Sequence, residues 1–150
     1  MEAMKKKGIK NIFTQGAITP AFIAQSISNH QSKTQIGAHD LFLGQVRADE
    51  IDGKKVQAIE YTAQEDMANQ IGHEIREATF GKFELSCMHI HHSIGTVKAG
   101  EICFFVFVSG AHREVVFEAL PYLVNEIKTK LPVFGKEVFE DSSYQWKVNQ

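Results

Sequence analysis

The sequence predicts an α+β protein in which helices cover an antiparallel or mixed β-sheet. Segments with the apolar pattern of strands alternate with three segments whose apolar residues recur at helical spacing, and their order is βαββαββα. No repeat, low-complexity tract or linker divides the 150 residues. We therefore expect one domain over residues 1–150, in which residues 1–8 form a disordered start.

The composition is that of a soluble globular protein that does not bind nucleic acid through bulk charge. Hydrophobic residues make up 43% and charged residues 23%, and the formal net charge is −2. The basic start Met1–Lys7 lacks the apolar run of a signal peptide, and no stretch approaches a membrane span. Cys87 and Cys103 form no CxxC pair, which favours buried thiols in a reducing compartment. The predicted location is the cytoplasm.

The first part of the chain predicts a strand, a helix and a second strand. Ile9–Phe13 is the first strand candidate. Thr19 followed by Pro20 is typical of a helix start, with threonine as the N-cap and proline in the first turn. Ile36–Arg47 follows as a strand, in which Gly44 indicates a bulge or a close backbone approach.

A turn, a strand and a second helix come next. Asp52-Gly53 is a turn signal within the polar segment Ala48–Lys55, which we expect to be a mobile loop. Val56–Thr62 then pairs back as a strand. Gln64–Thr79 has apolar residues at helical spacing, and Gly81 is the expected end of that helix.

Two strands, a long helix and a short strand complete the prediction. The strands are Phe83–Ile94 and Glu101–Val108, and the second is so apolar that we expect it to be central in the sheet. The helix contains Pro121, where a bend is expected, and ends at Pro132. A last strand is predicted over Ser143–Val148. One apolar stripe along the helix is formed by Val116, Leu120, Leu123, Ile127 and Leu131.

The pair His112-Arg113 lies at the start of this long helix, where positive side chains oppose the helix dipole. Positive charge is favourable there if an anion binds, because free backbone N–H groups, imidazole and guanidinium then all face it. The alternative is a surface pair that is satisfied by water or by Glu114.

A second group of cations surrounds the end of the same helix. Lys128 and Lys136 flank Pro132, and lysines in a last helical turn often only complement the dipole. Neighbouring ammonium groups also lower each other's pKa, and a neutral amine is a base or a nucleophile. Arg47, at the end of its strand, is either a solvated charge or a phosphate ligand at the edge of a cleft.

The two groups of cations are too far apart to share a small ligand within one chain. His112 and Lys128 are sixteen residues apart. At the rise of an α-helix this separation is about 24 Å. If both groups serve one site, its two ends come from different subunits, which predicts a symmetric dimer with two shared sites.

Three potential metal ligands alternate along one predicted strand. Cys87, His89 and His91 therefore share one face, and a thiolate with imidazoles is a set of ligands that zinc accepts. The remaining ligand of a zinc site is unassigned. The interpretation we favour is a mixed strand face without a metal, and zinc is the less favoured hypothesis.

Five short segments carry a family signature through their order and spacing. They are FLGQVR (42–47), IEYTAQEDMA (59–68), HHSIG (91–95), AHRE (111–114) and KTKLPVFGKE (128–137). Together they resemble the MoaE family, the large subunits of molybdopterin synthase. The resemblance extends from about Ile36 to Trp146.

The resemblance implies an α/β hammerhead-type fold and a catalytic subunit that forms a central homodimer. A small ubiquitin-like carrier subunit would bind at each end, making a heterotetramer, and would insert its C-terminal Gly-Gly thiocarboxylate. Sulfur would pass in two rounds to cyclic pyranopterin monophosphate, which forms the dithiolene of molybdopterin in molybdenum cofactor biosynthesis. No metal or organic cofactor is expected for this sulfurtransferase reaction.

The same resemblance assigns roles to individual residues. Arg47, His112 and Arg113 correspond to ligands of the pterin substrate and its phosphate. Lys128 corresponds to the essential lysine beside the thiocarboxylate.

The chain departs from the family pattern just after Pro132. Many relatives have a second lysine at the position of Gly135, and here Lys136 is the expected second catalytic lysine. If that role is lost, the alternative function is a non-catalytic module that binds the tail of a ubiquitin-like carrier. Neither cysteine lies in a setting expected to activate a thiol, which fits a separate sulfur donor.

Overall fold

The structure of the chain, a computed structural model, describes residues 8–147. The basic start Met1–Lys7, and with it nearly all of the expected disordered segment, lies outside the described residues. Within them the elements are β1 (Phe13–Gln15), α1 (Pro20–His30), β2 (Ala38–Gln45), β3 (Glu50–Ile51), β4 (Lys54–Ala63), α2 (Glu65–Lys82), β5 (Cys87–Lys98), β6 (Ile102–Gly110), α3 (Arg113–Lys130), β7 (Val133–Phe139) and β8 (Tyr144–Trp146).

The strands form one mixed sheet. Its order within residues 8–147 is β2-β6-β5-β4-β7-β8, with β1 parallel to β5 and β3 antiparallel to β4. The other neighbours are antiparallel. The α+β prediction is therefore confirmed. So is the central position of the apolar strand, since β6 lies between β2 and β5 and is buried from Cys103 to Gly110.

β5 joins the two halves of the sheet. Residues 87–92 of β5 pair with β6. Residues 95–98 of β5 pair with residues 58–61 of β4. Gly95 lies where the partner changes, with a φ of 83°. A Cβ atom there would clash with the side-chain amide of Gln15. Only glycine fits this crossing without strain.

Two predictions in the first half of the chain were wrong in detail. The expected strand Ile9–Phe13 is displaced along the chain. β1 starts only at the last residue of that range, and the N–H of Ile12 donates to Oδ1 of Asn69 at 2.9 Å instead. The expected loop Ala48–Lys55 contains β3, which forms a hairpin with β4 around Asp52-Gly53. The two turn residues have φ of 51° and 77°, as a tight hairpin requires.

The end of α2 also differs from the prediction. The helix passes Gly81 and ends at Lys82, and the N–H of Phe83 still donates to the carbonyl of Thr79 at 2.9 Å. Gly81 is not among the glycines with positive φ, so it provides no left-handed helix end. As a consequence, the next strand begins later than expected, at Cys87.

Helices pack on both faces of β6. α1 starts as predicted, with Oγ1 of Thr19 accepting the N–H of Phe22 at 3.1 Å. Its apolar side chains cover Phe105 and Phe107 on one face. α3 packs against β2 and β6 and continues through Pro121. The predicted stripe of α3 is buried at Val116, Leu120, Leu123 and Ile127. Among the described helices, none is both long and apolar enough to cross a membrane.

Replacing Phe107 with alanine is expected to lower the free energy of unfolding by about 3–5 kcal/mol. Its side chain is fully buried between the sheet and α1, so the loss removes apolar contacts and leaves a cavity. Phe117 on α3 is 59% exposed and provides the matched control, for which a change within about 0.5 kcal/mol is expected. Urea unfolding measures both. Equal losses for the two variants would contradict this view of the core.

Candidate active site

A groove of about 890 Å³ opens where the end of β2, the last turn of α3 and the β7–β8 hairpin meet. Its inner wall is formed by β4, β5 and β6, because these strands run side by side beneath the end of α3. The charged side chains that line this groove are three cations and two carboxylates, and uncharged polar side chains such as Gln45, Tyr61, His92 and Gln145 line it too. The cations are Arg47, Lys128 and Lys147, and the carboxylates are Asp49 and Glu137. Two residues singled out from the sequence, Arg47 and Lys128, are thus brought together.

Lys128 is the cation at the centre of the groove. Its Nζ lies 5.5 Å from the centre of the Phe104 ring, within the range of a cation–π contact. Burial lowers the pKa of Lys128, and the positive charge of Lys147 lowers it further, against a smaller opposite effect of Cys103. The ammonium therefore releases its proton more easily than that of an ordinary surface lysine.

Lys147 is a groove residue that sequence analysis missed. Its backbone N–H donates to the carbonyl of Gly135 at 2.8 Å, directly beside the position where many relatives have a lysine. The position follows from the pairing of β7 with β8, in which Lys136 is opposite Trp146. Only the register of this hairpin could have identified Lys147 as a groove residue, and the sequence pattern does not predict that register.

Lys136 does not line the groove. Residues alternate between the two faces of β7. Val133, Gly135 and Glu137 share the face that lines the groove, and Phe134 reaches its rim. Nζ of Lys136 lies instead 3.5 Å from Oε1 of Glu60 and 4.5 Å from the centre of the Tyr144 ring. Within one chain, the structure therefore does not bring the predicted lysine pair together.

Arg47 lies at the rim of the groove. Its guanidinium contacts Oδ2 of Asp49 at 3.2 Å, and its side chain is 75% exposed. An exposed ion pair of this kind contributes little to stability. The guanidinium is consequently accessible to an anionic ligand at the groove entrance, as expected for a strand end that lines a cleft.

His92 is a neutral imidazole inside the groove. Burial lowers its pKa to about 4, and the charge of Lys128 acts in the same direction, while the hydrogen bond to Ser93 opposes both. Nδ1 lies 2.7 Å from the carbonyl oxygen of Ser93, so this nitrogen carries the proton and donates it. Nε2 then holds the lone pair, which makes it an acceptor. The sequence analysis included His92 only as part of the family segment HHSIG and assigned it no role.

The floor of the groove holds further buried polar groups. Burial raises the pKa of Tyr61, and the neighbouring Cys103 and Glu137 raise it further. Glu137 is 7% exposed and accepts a hydrogen bond from Nε2 of Gln145 at 3.0 Å. Cys103 is buried, with its Sγ 3.5 Å from the carbonyl oxygen of Gly44. These groups shape the floor and keep it polar.

His112 and Arg113 lie at the opposite end of α3 from Lys128. His112 is the N-cap of the helix, Arg113 is its first residue, and both are exposed. Lys128 is sixteen residues beyond His112 along one continuous helix, which corresponds to about 24 Å. One chain therefore does not combine this pair with the groove.

The three potential metal ligands noted in the sequence are also regrouped. His89 lies next to His30 of α1, with ring centres 4.7 Å apart, and Cys87 is close to both. His91 stacks instead on Phe105, with ring centres 5.5 Å apart. Burial lowers the pKa of His89 to about 4, and the nearby His30 contributes to this shift.

The fold and the groove define a class of protein. It is an α+β protein with a mixed sheet, and its groove collects cationic side chains from separate elements, a setting that suits an anionic ligand. The sequence profile of the MoaE protein family matches residues 17–130, which is well over half of the chain. The chain belongs to the MoaE protein family, as the five sequence segments predicted.

Individual relatives agree with this assignment. The molybdopterin synthase catalytic subunit of Rattus norvegicus is 34% identical over 114 residues, which are 76% of this chain and 56% of the rat protein. The chain thus spans little more than half the length of that relative. The crystal structure of molybdopterin synthase from Staphylococcus aureus has a TM-score of 0.80 at 26% identity, covering 93% of this chain and 98% of that one.

A third comparison concerns the fold alone. The complex of subunits 1 and 2 of molybdopterin-converting factor from Helicobacter pylori contains a chain with a TM-score of 0.78 at 16% identity. The match covers 92% of this chain and 90% of that one. The described fold is therefore retained at very low sequence identity.

Proposed function

We propose that the chain is the catalytic subunit of a molybdopterin synthase. In this function it transfers sulfur from the C-terminal thiocarboxylate of a small ubiquitin-like carrier to cyclic pyranopterin monophosphate, forming the dithiolene of molybdopterin. The observation that carries the proposal is Lys128, a lysine of lowered pKa inside a groove of a MoaE-family chain. The similarity to the molybdopterin synthase catalytic subunit of Rattus norvegicus and to molybdopterin synthase from Staphylococcus aureus supports it.

The shape of the groove suits a peptide tail that ends in an anion. Its rim carries the apolar side chains of Leu43, Phe134 and Trp146, which are 43%, 52% and 57% exposed. Exposed aromatic side chains of this kind are enriched where proteins bind each other. A Gly-Gly tail has no side chains and can pass close to Gly135 toward Lys128. The carrier is thus expected to dock on the rim with its thiocarboxylate beside the ammonium.

The phosphate of the substrate requires cations that one chain does not bring to the groove. Arg47 is at the groove entrance, but His112 and Arg113 are at the far end of α3. A second copy related by two-fold symmetry supplies them if the start of its α3 approaches the groove. The proposed assembly is a homodimer with two shared sites and one carrier at each end, that is, a heterotetramer.

The chemistry needs a cation that also exchanges protons. In each round the carrier's sulfur forms a bond to a side-chain carbon of the substrate as that carbon's bond to oxygen breaks, and the oxygen leaves on the phosphate or as water. Water then adds to the thioester carbonyl and breaks its bond to sulfur, so the carrier leaves as a carboxylate and the sulfur stays on the substrate as a thiolate. Protonated Lys128 pairs with the thiocarboxylate anion, and neutral Lys128 accepts a proton from the attacking water. A lowered pKa makes the proton of Lys128 easier to release than that of an ordinary surface lysine. No resident metal or organic cofactor takes part in these steps.

The second lysine of this site is proposed to be Lys147. Gly135 leaves no side chain at the usual position, and a Cβ atom there would lie 3.1 Å from Cγ2 of Ile59 and 3.3 Å from Cε1 of Tyr61. The backbone N–H of Lys147 donates a hydrogen bond to the carbonyl of Gly135, and the positive charge of Lys147 lowers the pKa of Lys128. Lys136, the residue first expected in this role, faces Glu60. Lys147 thus supplies the second positive charge from the neighbouring strand.

Replacing Lys147 with alanine is expected to lower the rate of sulfur transfer by roughly tenfold, the effect of losing one charge-assisted interaction. The matched control is Lys136→Ala, which removes a lysine from the other face of the same hairpin and is expected to change the rate less than about twofold. Single-turnover assays measure both rates. A large loss in Lys136→Ala with none in Lys147→Ala would return the role to Lys136.

The test of the function is a reconstituted reaction. The purified chain is mixed with thiocarboxylated carrier and cyclic pyranopterin monophosphate, and the dithiolene product is measured by mass spectrometry. Carrier that ends in an ordinary carboxylate is the control and is expected to give no product.

A second candidate function is a non-catalytic module that binds the carrier's tail. The glycine at position 135 favours it, since a lysine common among relatives is missing there. It predicts a stable complex with the carrier and no product in the same reaction, so one experiment separates the two functions.

A further inference from the structure

A second cluster of potential ligands lies on the face of β5 and β6 that α1 covers, away from the groove. His30 is the last residue of α1, and Cys87 and His89 are on β5 opposite Ser109 and Phe107 of β6. One ligand atom from each of these three side chains lies within 4.8 Å of the others. The groove is lined instead by the next residues on the other face, such as His92 and Phe104.

The orientation of His30 is that of a metal-binding imidazole. Its Nδ1 lies 2.7 Å from the carbonyl oxygen of Ser26, one turn earlier in α1. A carbonyl only accepts, so Nδ1 carries the proton and Nε2 holds the lone pair. That Nε2 points at Nε2 of His89, 2.9 Å away. Backbone hydrogen bonds of this kind to the outer ring nitrogen are typical of histidines that bind metals.

Cys87 adds a soft ligand to the two imidazoles. Its Sγ accepts a hydrogen bond from Nζ of Lys33 at 3.1 Å, and sulfur is a ligand atom that zinc binds in proteins. Cys87 is 9% and His30 is 5% exposed, so the donor atoms are largely shielded from water. Three converging donors from two elements, with Lys33 as a neighbour, form a built site and not an isolated thiol.

We propose that His30, Cys87 and His89 bind a zinc ion that ties the end of α1 to β5. Two imidazole nitrogens and one thiolate are a set of ligands that zinc accepts in tetrahedral geometry. Zinc lies about 2.0–2.1 Å from nitrogen and about 2.3 Å from sulfur, so the three donor atoms need to move by about 1 Å or less. The fourth position is taken by water.

The site differs from the one that strand alternation suggests. His91 is two residues from His89 on the same face, yet it lies against Phe22 and Phe105, with ring centres 4.9 and 5.5 Å away. His30, which is far away in the sequence, takes its place. His91 is consequently the matched control, since it is a histidine on the same strand face without a ligand position.

The test uses the full chain after treatment with a chelator, titrated with zinc and, separately, with cobalt. One zinc per chain is expected. Its affinity falls in His30→Gln and Cys87→Ser by more than the roughly 10–100-fold loss usual when a group behind a ligand is removed. His91→Gln is expected to bind zinc as the unaltered chain does. Cobalt is expected to give a sulfur-to-cobalt charge-transfer band in the unaltered chain and in His91→Gln, but not in Cys87→Ser.

Thermal unfolding provides a readout that does not depend on catalysis. Zinc is expected to raise the Tm of the unaltered chain and of His91→Gln, but not that of His30→Gln. Absence of stoichiometric zinc and of the cobalt band in the unaltered chain overturns the proposal. So does zinc binding that survives His30→Gln unchanged, which would leave the two histidines as a simple hydrogen-bonded pair. Sulfur transfer is assayed separately, so failure of one proposal does not affect the other.

Discussion

Lys128→Ala is expected to lower the rate of sulfur transfer by at least about 100-fold, the usual contribution of a general acid or base. The side chain reaches the centre of the groove over the Phe104 ring, and burial lowers its pKa. In the proposed mechanism, alanine removes both the positive charge that would pair with the thiocarboxylate and the amine that would exchange a proton with water. The apolar rim of the groove is unchanged, so carrier binding is expected to persist. Single-turnover product formation and a separate binding titration measure the two effects.

Lys130→Ala is the matched control for this prediction. Lys130 is in the same last turn of α3, but its Nζ pairs with Oε1 of Glu126 at 2.6 Å on the exposed surface. We expect its removal to change the rate less than about twofold, because exposed pairs of this kind contribute little. Unchanged turnover in Lys128→Ala would refute the catalytic assignment. Equal losses in both variants would indicate a general effect of charge at the end of the helix.

The sequence predicts best where a pattern is repeated within one element. The apolar residues of the α3 stripe recur every three or four positions, so several residues support the same prediction of a buried face. That face is buried as expected. The run in β6 is apolar on both faces, and only a strand covered on both sides buries such a run. Thr19 with Pro20 marked the start of α1 through local chemistry alone.

The sequence predicts least where two distant segments must be placed against each other. Lys147 reaches Gly135 only through the register of β7 and β8, and His30 reaches His89 only because α1 lies across the sheet. Neither relation produces a periodic pattern along the chain. Lys136 is the opposite case, since its closeness in sequence to Lys128 suggested a pair, whereas within one chain its Nζ lies beside Glu60 outside the groove.

An equal mixture of His112→Ala and Lys128→Ala chains, refolded or co-expressed so that subunits exchange, is expected to regain about one quarter of the unaltered activity. Each variant alone is expected to be nearly inactive. Half of the random dimers contain one chain of each kind. In such a dimer, one shared site combines both substitutions, and the other combines an intact His112 with an intact Lys128.

The prediction depends on the length of α3. Within one chain, His112 and Lys128 are at opposite ends of an unbroken helix, so about 24 Å prevents one substrate from contacting both. Two-fold symmetry is the arrangement that overcomes this distance with a single kind of chain. A mixture of Arg47→Ala and Lys128→Ala is the control, because both residues line the groove of the same chain. In the mixed dimers of this control each site keeps one of the two substitutions, so no activity is expected to return. Failure of the first mixture, with confirmed subunit exchange, would mean that His112 acts outside the site of Lys128.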